Sequence, residues 1–192
     1  MAQPFAHQRM TADDYFALPD DGNRYELIDG ELELAPVPSA NVHQWTLSNL
    51  TFLMEQHVRA HRLGWLWFAP TDVILSAHDV VQPDLLFVRR GRRDIVGGRI
   101  HGAPDLVVEV TSPTSEQFDR GLKLRRYARF GVNWYWLIDP RQQTIEELER
   151  TDREYRSRRS WTGNEIFEPA LFPDLRIDLT ELWPESGLAS DE

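Results

Sequence analysis

Two acidic residues stand where the surrounding sequence is apolar. Glu109 interrupts the apolar run 106–110, and Asp84 follows Pro83 at the start of the apolar run 85–88. A buried carboxylate is costly unless it is paired with a cation or bound to a metal. Taken singly, Glu109 fits an ion pair as well as a metal ligand, and Asp84 fits a turn as well as a site. If the two runs are neighbouring strands, their carboxylates converge, and Mg²⁺ or Mn²⁺ would offset the repulsion.

The basic residues contain a single lysine. Arginine supplies all but one of the 21 basic side chains, and the exception is Lys123. Lysine offers a compact, titratable ammonium that arginine does not. In the helix expected over 116–130, Asp119, Lys123 and Tyr127 share one face at i, i+4 and i+8. A helix that returns over its own strand would bring the amine to Glu109, where it could position a metal-bound water. The alternative is a surface Asp–Lys pair, worth roughly a few tenths of a kcal/mol.

The elements that must position these residues follow from turn signals and periodicity. Thr11 begins a short helix that Pro19 ends, and a helix begins at Ser39 and runs to about residue 63. Its apolar stripe is Leu47, Leu50, Met54 and Val58. Strands are predicted over 65–68, 70–76, 81–88, 105–111, 134–139, 144–150 and 155–161, with a last strand and a short helical turn in 172–182.

A β-hairpin is predicted near the N-terminus, because Asp29-Gly30 separates two alternating runs over 24–34. We expect its core face to hold four apolar residues: Tyr25, Leu27, Leu32 and Leu34. The same register places Glu26 opposite Glu33, and directly opposed like charges destabilise a strand pair. The plain explanation is a solvated face on which Arg24 relieves the repulsion.

Length and composition predict one domain of mixed α/β (α+β) class. The chain has 192 residues, 41 % of them hydrophobic, and no cysteine. We expect a flexible tail over 1–10, a single domain over 11–184 built on a central mixed sheet flanked by helices, and a disordered tail over 185–192. No secretory signal or membrane span is recognisable, and the absence of cysteine favours a cytoplasmic protein.

Several ordered motifs together resemble the PD-(D/E)XK nuclease superfamily and, more specifically, the Uma-two family of restriction-endonuclease-like proteins. The usual superfamily motif has lysine two residues after the glutamate, where this chain has Thr111. Some members carry the lysine on the following helix, which Lys123 matches. The matching stretches are 24–32, His43, 82–85, 106–114, the Asp119–Lys123–Tyr127 series, 131–139 and 172–175.

The resemblance implies a restriction-endonuclease-like core and a Mg²⁺- or Mn²⁺-dependent nuclease that hydrolyses DNA. In that interpretation Asp84 and Glu109 bind the metal with the Val110 carbonyl, and Lys123 orients the attacking water. Glu26 then belongs to the site as a further carboxylate rather than to a solvated face. We expect at least one of the clustered acids to have a raised pKa, with Lys123 as the compensating charge.

Three supporting residues are also implied: His43, Asp119 and Tyr127. His43 lies in line with the apolar stripe of its helix, so a half-buried histidine bonded to a neighbour is an equal alternative.

Charge distinguishes two functional hypotheses. The net charge of −10 opposes nucleic-acid binding, although arginines cluster in 89–93, 120–129 and 150–159. The first hypothesis is a DNA endonuclease. The second is a non-catalytic nucleic-acid-binding or protein-interaction module on the same fold. By resemblance to the superfamily we also expect a homodimer.

Overall fold

The computed structural model describes residues 9–35 and 40–184. The predicted tail over 185–192, most of the tail over 1–10 and the helix start at Ser39 lie outside the described residues. The last two residues of the predicted N-terminal tail are described, and both contact the hairpin turn. Met10 donates its backbone N–H to the Gly30 carbonyl at 3.0 Å, and Arg9 forms an ion pair with Asp29.

The strands form two larger sheets and one small pair. They are β1 (Tyr25–Ile28), β2 (Glu31–Leu34), β3 (Gly64–Phe68), β4 (Val73–Ser76), β5 (Asp79–Val81), β6 (Leu85–Arg89), β7 (Ile100–His101), β8 (Leu106–Val110), β9 (Trp134–Asp139), β10 (Thr144–Thr151), β11 (Glu154–Thr162), β12 (Ile166–Phe167) and β13 (Ile177–Asp178). The six-stranded sheet has the order β11-β10-β9-β8-β6-β3, and the five-stranded sheet has the order β2-β1-β5-β4-β7. Both are mixed: β8 pairs with β9 and β4 with β7 in parallel, and the other pairs are antiparallel.

The helices are α1 (Ala12–Phe16), α2 (Ala40–Ala60), α3 (Glu116–Phe118) and α4 (Leu124–Phe130). A π-helical turn, Asp119–Lys123, joins α3 to α4, so the helix predicted over 116–130 is present but divided. Short 3₁₀ turns cover Arg90–Ile95 and Leu179–Glu181. The Thr11 side chain caps α1 as predicted. No helix in 9–35 or 40–184 is long and apolar enough to cross a membrane.

The six-stranded sheet has a hydrophobic cluster on each face. Along β8, Val108 and Val110 belong to the cluster that contains the α2 stripe, whereas Val107 belongs to the opposite cluster with Tyr127. Successive strand residues alternate between faces. Glu109 therefore points to the side that α4 covers, which is how a strand buried on both faces brings its only charge to the helix.

The hairpin has the predicted register, including Glu26 opposite Glu33. Its predicted core face is right for Leu27, which is buried, but wrong for Leu32 and Leu34, which are 36 % and 62 % exposed. Glu26, on the opposite face, is 1 % exposed. β1 is an interior strand of its sheet, since it also pairs with β5, and residues on both of its faces are buried. The exposed strand is β2, which forms the edge of the five-stranded sheet.

Two predicted strands are shorter than expected. The strand predicted over 70–76 begins only at Val73. The run predicted over 81–88 is divided between β5 and β6 by Gln82-Pro83-Asp84. Proline lacks the N–H that a ladder needs, so the chain leaves one sheet and enters the other at this point. As a result, Asp84 immediately precedes the central strand β6.

Candidate active site

Glu109 lies on β8, and Asp84 lies immediately before the neighbouring strand β6, so the two acids are close as the sequence predicts. In the antiparallel pairing of β6 with β8, Leu85 lies opposite Val108. Asp84 immediately precedes Leu85, and Glu109 immediately follows Val108, so the two acids come to the same level of the sheet. Both are buried, and both line one cleft.

Lys123 lies among the carboxylates. Its Nζ is 3.0 Å from Glu109 Oε1, 3.1 Å from Glu26 Oε1 and 3.8 Å from Asp119 Oδ1. The side chain is buried, so the surface-pair alternative for Asp119 and Lys123 is wrong. Three acids from a hairpin, a strand and a helical turn therefore share one ammonium.

Asp119 and Lys123 are the first and last residues of the π-helical turn, and both side chains line the cleft. A π turn contains one more residue per turn than an α-helix, and such turns occur frequently at functional sites. Tyr127 lies beyond it, in α4, and donates its hydroxyl to Glu109 Oε1 at 2.9 Å. The same oxygen thus accepts from both Lys123 and Tyr127.

Asp84 is held on the other side of the cleft. Its Oδ2 accepts the Val110 backbone N–H at 2.8 Å and lies 3.0 Å from His43 Nε2. His43 comes from α2 and is 3 % exposed. The two alternatives for His43 are both true, since the histidine is buried and bonded to a neighbour and also lies beside the site.

Glu26 reaches the cleft from β1. Its Oε1 accepts the Gln82 backbone N–H at 3.0 Å as well as the Lys123 contact. Its Oε2 has no hydrogen-bond partner among the described residues although it is buried. A solvated face is therefore wrong for Glu26, and one of its buried oxygens is left free to bind a ligand.

These side chains line a small, polar cavity, which we name the Lys123 cleft. Its volume is about 30 Å³, enough for an ion or one or two water molecules. Local sequence patterns indicate no role at the site for Gln82 or Ser115, and for Arg24 they indicate only relief of the hairpin charges. The lining residues are Arg24, Glu26, Ala35, His43, Gln82, Asp84, Glu109, Val110, Ser115, Asp119 and Lys123.

Comparison with known proteins identifies the family. Residues 12–180 match the model of the Uma2 (Uma-two) family, described as "Putative restriction endonuclease". The chain belongs to the Uma2 family. No curated protein sequence matches it.

The fold also resembles a solved structure. A crystal structure from Anabaena variabilis, described as "a putative nuclease belonging to DUF820", superposes with a TM-score of 0.75 at 19 % sequence identity. The match covers 91 % of this Uma2 chain and 97 % of the other chain. The fold is therefore restriction-endonuclease-like, as predicted, and the Uma2 family description supports a nuclease-like function.

Protonation in the Uma2 site follows from burial and from the shared lysine. Burial raises the pKa of Glu109 well above its usual range, with Lys123 opposing the shift and the Asp84 carboxylate adding to it. Burial likewise raises the pKa of Asp119 to about 6, again opposed by Lys123. The expected raised pKa among the clustered acids is confirmed at Glu109.

Asp84 and Lys123 shift in the directions that favour their charged forms. Burial opposes ionisation of Asp84, but the His43 hydrogen bond and the charge of Lys123 outweigh it, and the pKa of Asp84 is lowered. Burial also opposes the charge on Lys123, but the carboxylates led by Glu109 raise its pKa well above the usual range. At neutral pH the cleft therefore holds an ionised Asp84 beside a lysine ammonium.

The donor set suits a hard cation. Among the described residues no three Asp, Glu or His side chains already surround a common point at metal-binding distance. Mg²⁺ does not need such a cluster, because it keeps several waters and binds one or two carboxylates. Asp84 and Glu109 could provide those carboxylates, and Glu26 Oε2 is a further oxygen in the same cleft.

Proposed function

We propose that this protein is a Mg²⁺- or Mn²⁺-dependent endonuclease that hydrolyses phosphodiester bonds in DNA in the cytoplasm. The observation that carries the proposal is the convergence of Asp84, Glu109 and Lys123 in one cleft of a Uma2 fold. Water adds to the phosphorus, one P–O ester bond breaks, and the products are a phosphate monoester and a free hydroxyl.

Three groups of this chain would hold the metal: the carboxylates of Asp84 and Glu109 and the backbone carbonyl of Val110. When bound, the cation neutralises phosphate charge and lowers the pKa of a coordinated water. The Val110 N–H fixes the orientation of Asp84 through its hydrogen bond to Oδ2. Because Asp84 is already oriented, little free energy is needed to reorganise it during the reaction.

Lys123 supplies positive charge at a fixed place. Its raised pKa keeps it an ammonium, so it donates hydrogen bonds rather than accepting a proton. It orients the attacking water and stabilises the negative charge that develops on the phosphoryl oxygens. Glu26 and Asp119 hold the ammonium in place through their ion pairs.

His43 and Tyr127 position the two metal-binding acids. His43 contacts Asp84 Oδ2, and Tyr127 donates to Glu109 Oε1. Each bond restrains one carboxylate and leaves its second oxygen available for the cation.

The direct test is a cleavage assay with single-stranded, duplex and branched DNA in Mn²⁺. We expect cleavage by the wild-type protein and none by Asp84→Asn, whose side chain has the same shape but no charge. Asp105→Asn, which changes a buried acid at the opposite end of β8, is the matched control and should cleave normally. Calorimetry should show Mn²⁺ binding that only Asp84→Asn loses.

The rival function is a non-catalytic module, favoured by the net charge of −10. DNA binding without cleavage of any of the three substrates, in a protein that binds no Mn²⁺, would support it against the endonuclease.

We propose in addition that the chain forms a homodimer. Phe52 on α2 and Phe68 on the edge strand β3 are 65 % and 59 % exposed and line the same surface groove. Exposed apolar side chains that cluster in this way are typical of contact surfaces. A monomer mass in light scattering at micromolar concentration would contradict the proposal.

A further inference from the structure

The Lys123 cleft presents an electrostatic problem to a phosphodiester. Four carboxylates line it, from Glu26, Asp84, Glu109 and Asp119, and the ammonium of Lys123 is already engaged by three of them. An anionic substrate that approaches this surface is repelled unless another cation meets it. The metal compensates the charge at the reacting phosphate, but an anionic strand also has to be held at the mouth.

One arginine lines the cleft, and it is Arg24. Its guanidinium donates from Nε and Nη2 to the Gln82 amide oxygen at 3.3 and 3.2 Å. Among the described residues no carboxylate lies within ion-pairing distance of it. Elsewhere in the protein buried acids are paired with arginine: Arg126 contacts Asp79, and Arg92 contacts Asp105. Arg24 therefore carries a positive charge beside an acidic site without being engaged in an ion pair with any described carboxylate.

The guanidinium is also held in place. Gln82 donates its side-chain Nε2 to Asp72 Oδ1 at 2.9 Å, and its backbone N–H binds Glu26 Oε1. This fixed amide turns its oxygen to Arg24. A neutral acceptor positions the guanidinium without neutralising it, and the remaining N–H donors match a phosphate in fork geometry.

We propose that Arg24 binds a phosphate group of the nucleic-acid substrate at the mouth of the Lys123 cleft. The proposal rests on the proposed function for the nature of the substrate, and it adds the residue that holds the strand. Arg24 is a substrate-binding residue here, while Gln82 acts through it as a positioning residue.

The experiment measures binding of thymidine 3′,5′-bisphosphate by calorimetry in Ca²⁺, with Mn²⁺ binding titrated separately. We expect Arg24→Gln to weaken nucleotide binding about 10-fold or more, the scale of a lost charged hydrogen bond, and to leave Mn²⁺ binding unchanged. Arg24→Lys should recover part of the affinity because it keeps the charge without the fork. The matched control is Arg153→Gln, an exposed arginine in the β10–β11 turn, which should bind like wild type.

The outcomes separate this proposal from the endonuclease itself. Loss of nucleotide affinity in Arg24→Gln alone supports the phosphate site even if no DNA is cleaved. Equal affinity in Arg24→Gln and wild type, or no binding by wild type, overturns it even if DNA is cleaved. Should Arg24→Gln fail to fold in thermal melts, phenylglyoxal modification of Arg24 in the wild-type protein gives the same decision. Bound nucleotide should slow that modification, and an unchanged rate would overturn the proposal.

Discussion

Strand β8 carries a buried acid at each end, and the two ends differ in charge balance. Asp105 precedes the strand and accepts the Arg89 backbone N–H at 2.9 Å. The Arg92 guanidinium lies 3.3 Å from its other oxygen, and the Arg89 side chain 3.8 Å. One carboxylate therefore has two arginines. At the other end, Glu109 belongs to a group of four carboxylates, three of which share one lysine.

The contrast distinguishes Asp105, an acid with a structural role, from Glu109, an acid of the candidate active site. At the Asp105 end the hydrogen bonds and charges satisfy one another, so nothing further is needed. At the Glu109 end the carboxylates outnumber the cations, and Glu26 Oε2 lacks a partner among the described residues. Such an imbalance is costly in a buried place, and perturbed groups of this kind cluster at functional sites.

The largest effect is expected for a substitution at the Glu109 end of β8, where the difference between the two ends should be greatest. Lys123→Arg should fold and still bind Mn²⁺ through Asp84 and Glu109, but lose about 10²-fold or more of the cleavage rate, the scale of a lost charge-stabilising donor. The guanidinium is larger and planar, so it cannot occupy the place of a compact ammonium. Single-turnover cleavage at saturating Mn²⁺ measures the loss, with thermal melts to exclude unfolding.

The matched change at the other end is Arg92→Lys, for which we expect wild-type cleavage. Wild-type cleavage by Lys123→Arg as well would make the two ends equivalent and remove the role assigned to the lysine.

The second prediction uses the pH dependence of stability. The pKa of Asp119 is raised from 3.8 to about 6 in the folded protein. A group whose folded pKa is raised stabilises the fold at low pH, and this contribution is lost as pH rises through the folded pKa. Asp119→Asn does not titrate. Its stability relative to wild type should therefore rise by about 2 kcal/mol between pH 4 and pH 8.

Urea unfolding of the metal-free proteins measures this difference, and Asp94→Asn, at an exposed position in a 3₁₀ turn, is the control. A constant difference between Asp119→Asn and wild type across this pH range would show that Asp119 titrates like a surface acid.

The third prediction concerns the hydroxyl that restrains Glu109. Tyr127→Phe removes the donor to a buried carboxylate oxygen and should lower the free energy of unfolding by about 1 to 2 kcal/mol. Tyr25→Phe removes a hydroxyl that binds the exposed Asp21, and we expect a change below about 0.5 kcal/mol. Denaturant titration of both variants measures these changes. An equal loss of unfolding free energy in the two variants would show that the hydrogen bond to Glu109 contributes no more than one to an exposed acid.

The smallest effect is expected at the Asp105 end of β8, where the carboxylate is paired with two arginines. Asp105→Asn keeps an oxygen to accept the Arg89 N–H, and both arginine side chains can turn to solvent, since they are more than one third exposed. We expect a loss of stability below about 1 kcal/mol and unchanged Mn²⁺ affinity. A loss of Mn²⁺ binding would mean that both ends of β8 serve the site.

The sequence predicts the parts of the fold that rest on local chemistry. Asp29-Gly30 determines the hairpin register, and the apolar stripe of α2 packs on the sheet as its spacing requires. The continuous apolar run around Glu109 correctly indicates a strand buried on both faces. The convergence of Asp84, Glu109 and Lys123 also follows, since neighbouring strands and a returning helix bring them together.

The remainder depends on tertiary packing that no local pattern records. Alternation in a hairpin identifies two faces, but it cannot show that β1 is buried on both of them. The π-helical turn adds a residue within a helix whose sequence shows no break. No local pattern predicts the position of Arg24 at the cleft, because its hydrogen bond to Gln82 joins residues that are distant in sequence.

Because the chain has a single lysine, one protease cleavage site can measure local opening of the segment that contains it. Endoproteinase Lys-C cleaves after lysine, so it has one target in the whole chain, the Lys123–Leu124 bond, and that bond lies within the helical segment over the sheet. A protease needs an extended and accessible backbone, so cutting requires local opening of this segment. The appearance of two fragments therefore measures how often the helix leaves the sheet, and a ligand that binds the site should slow their appearance.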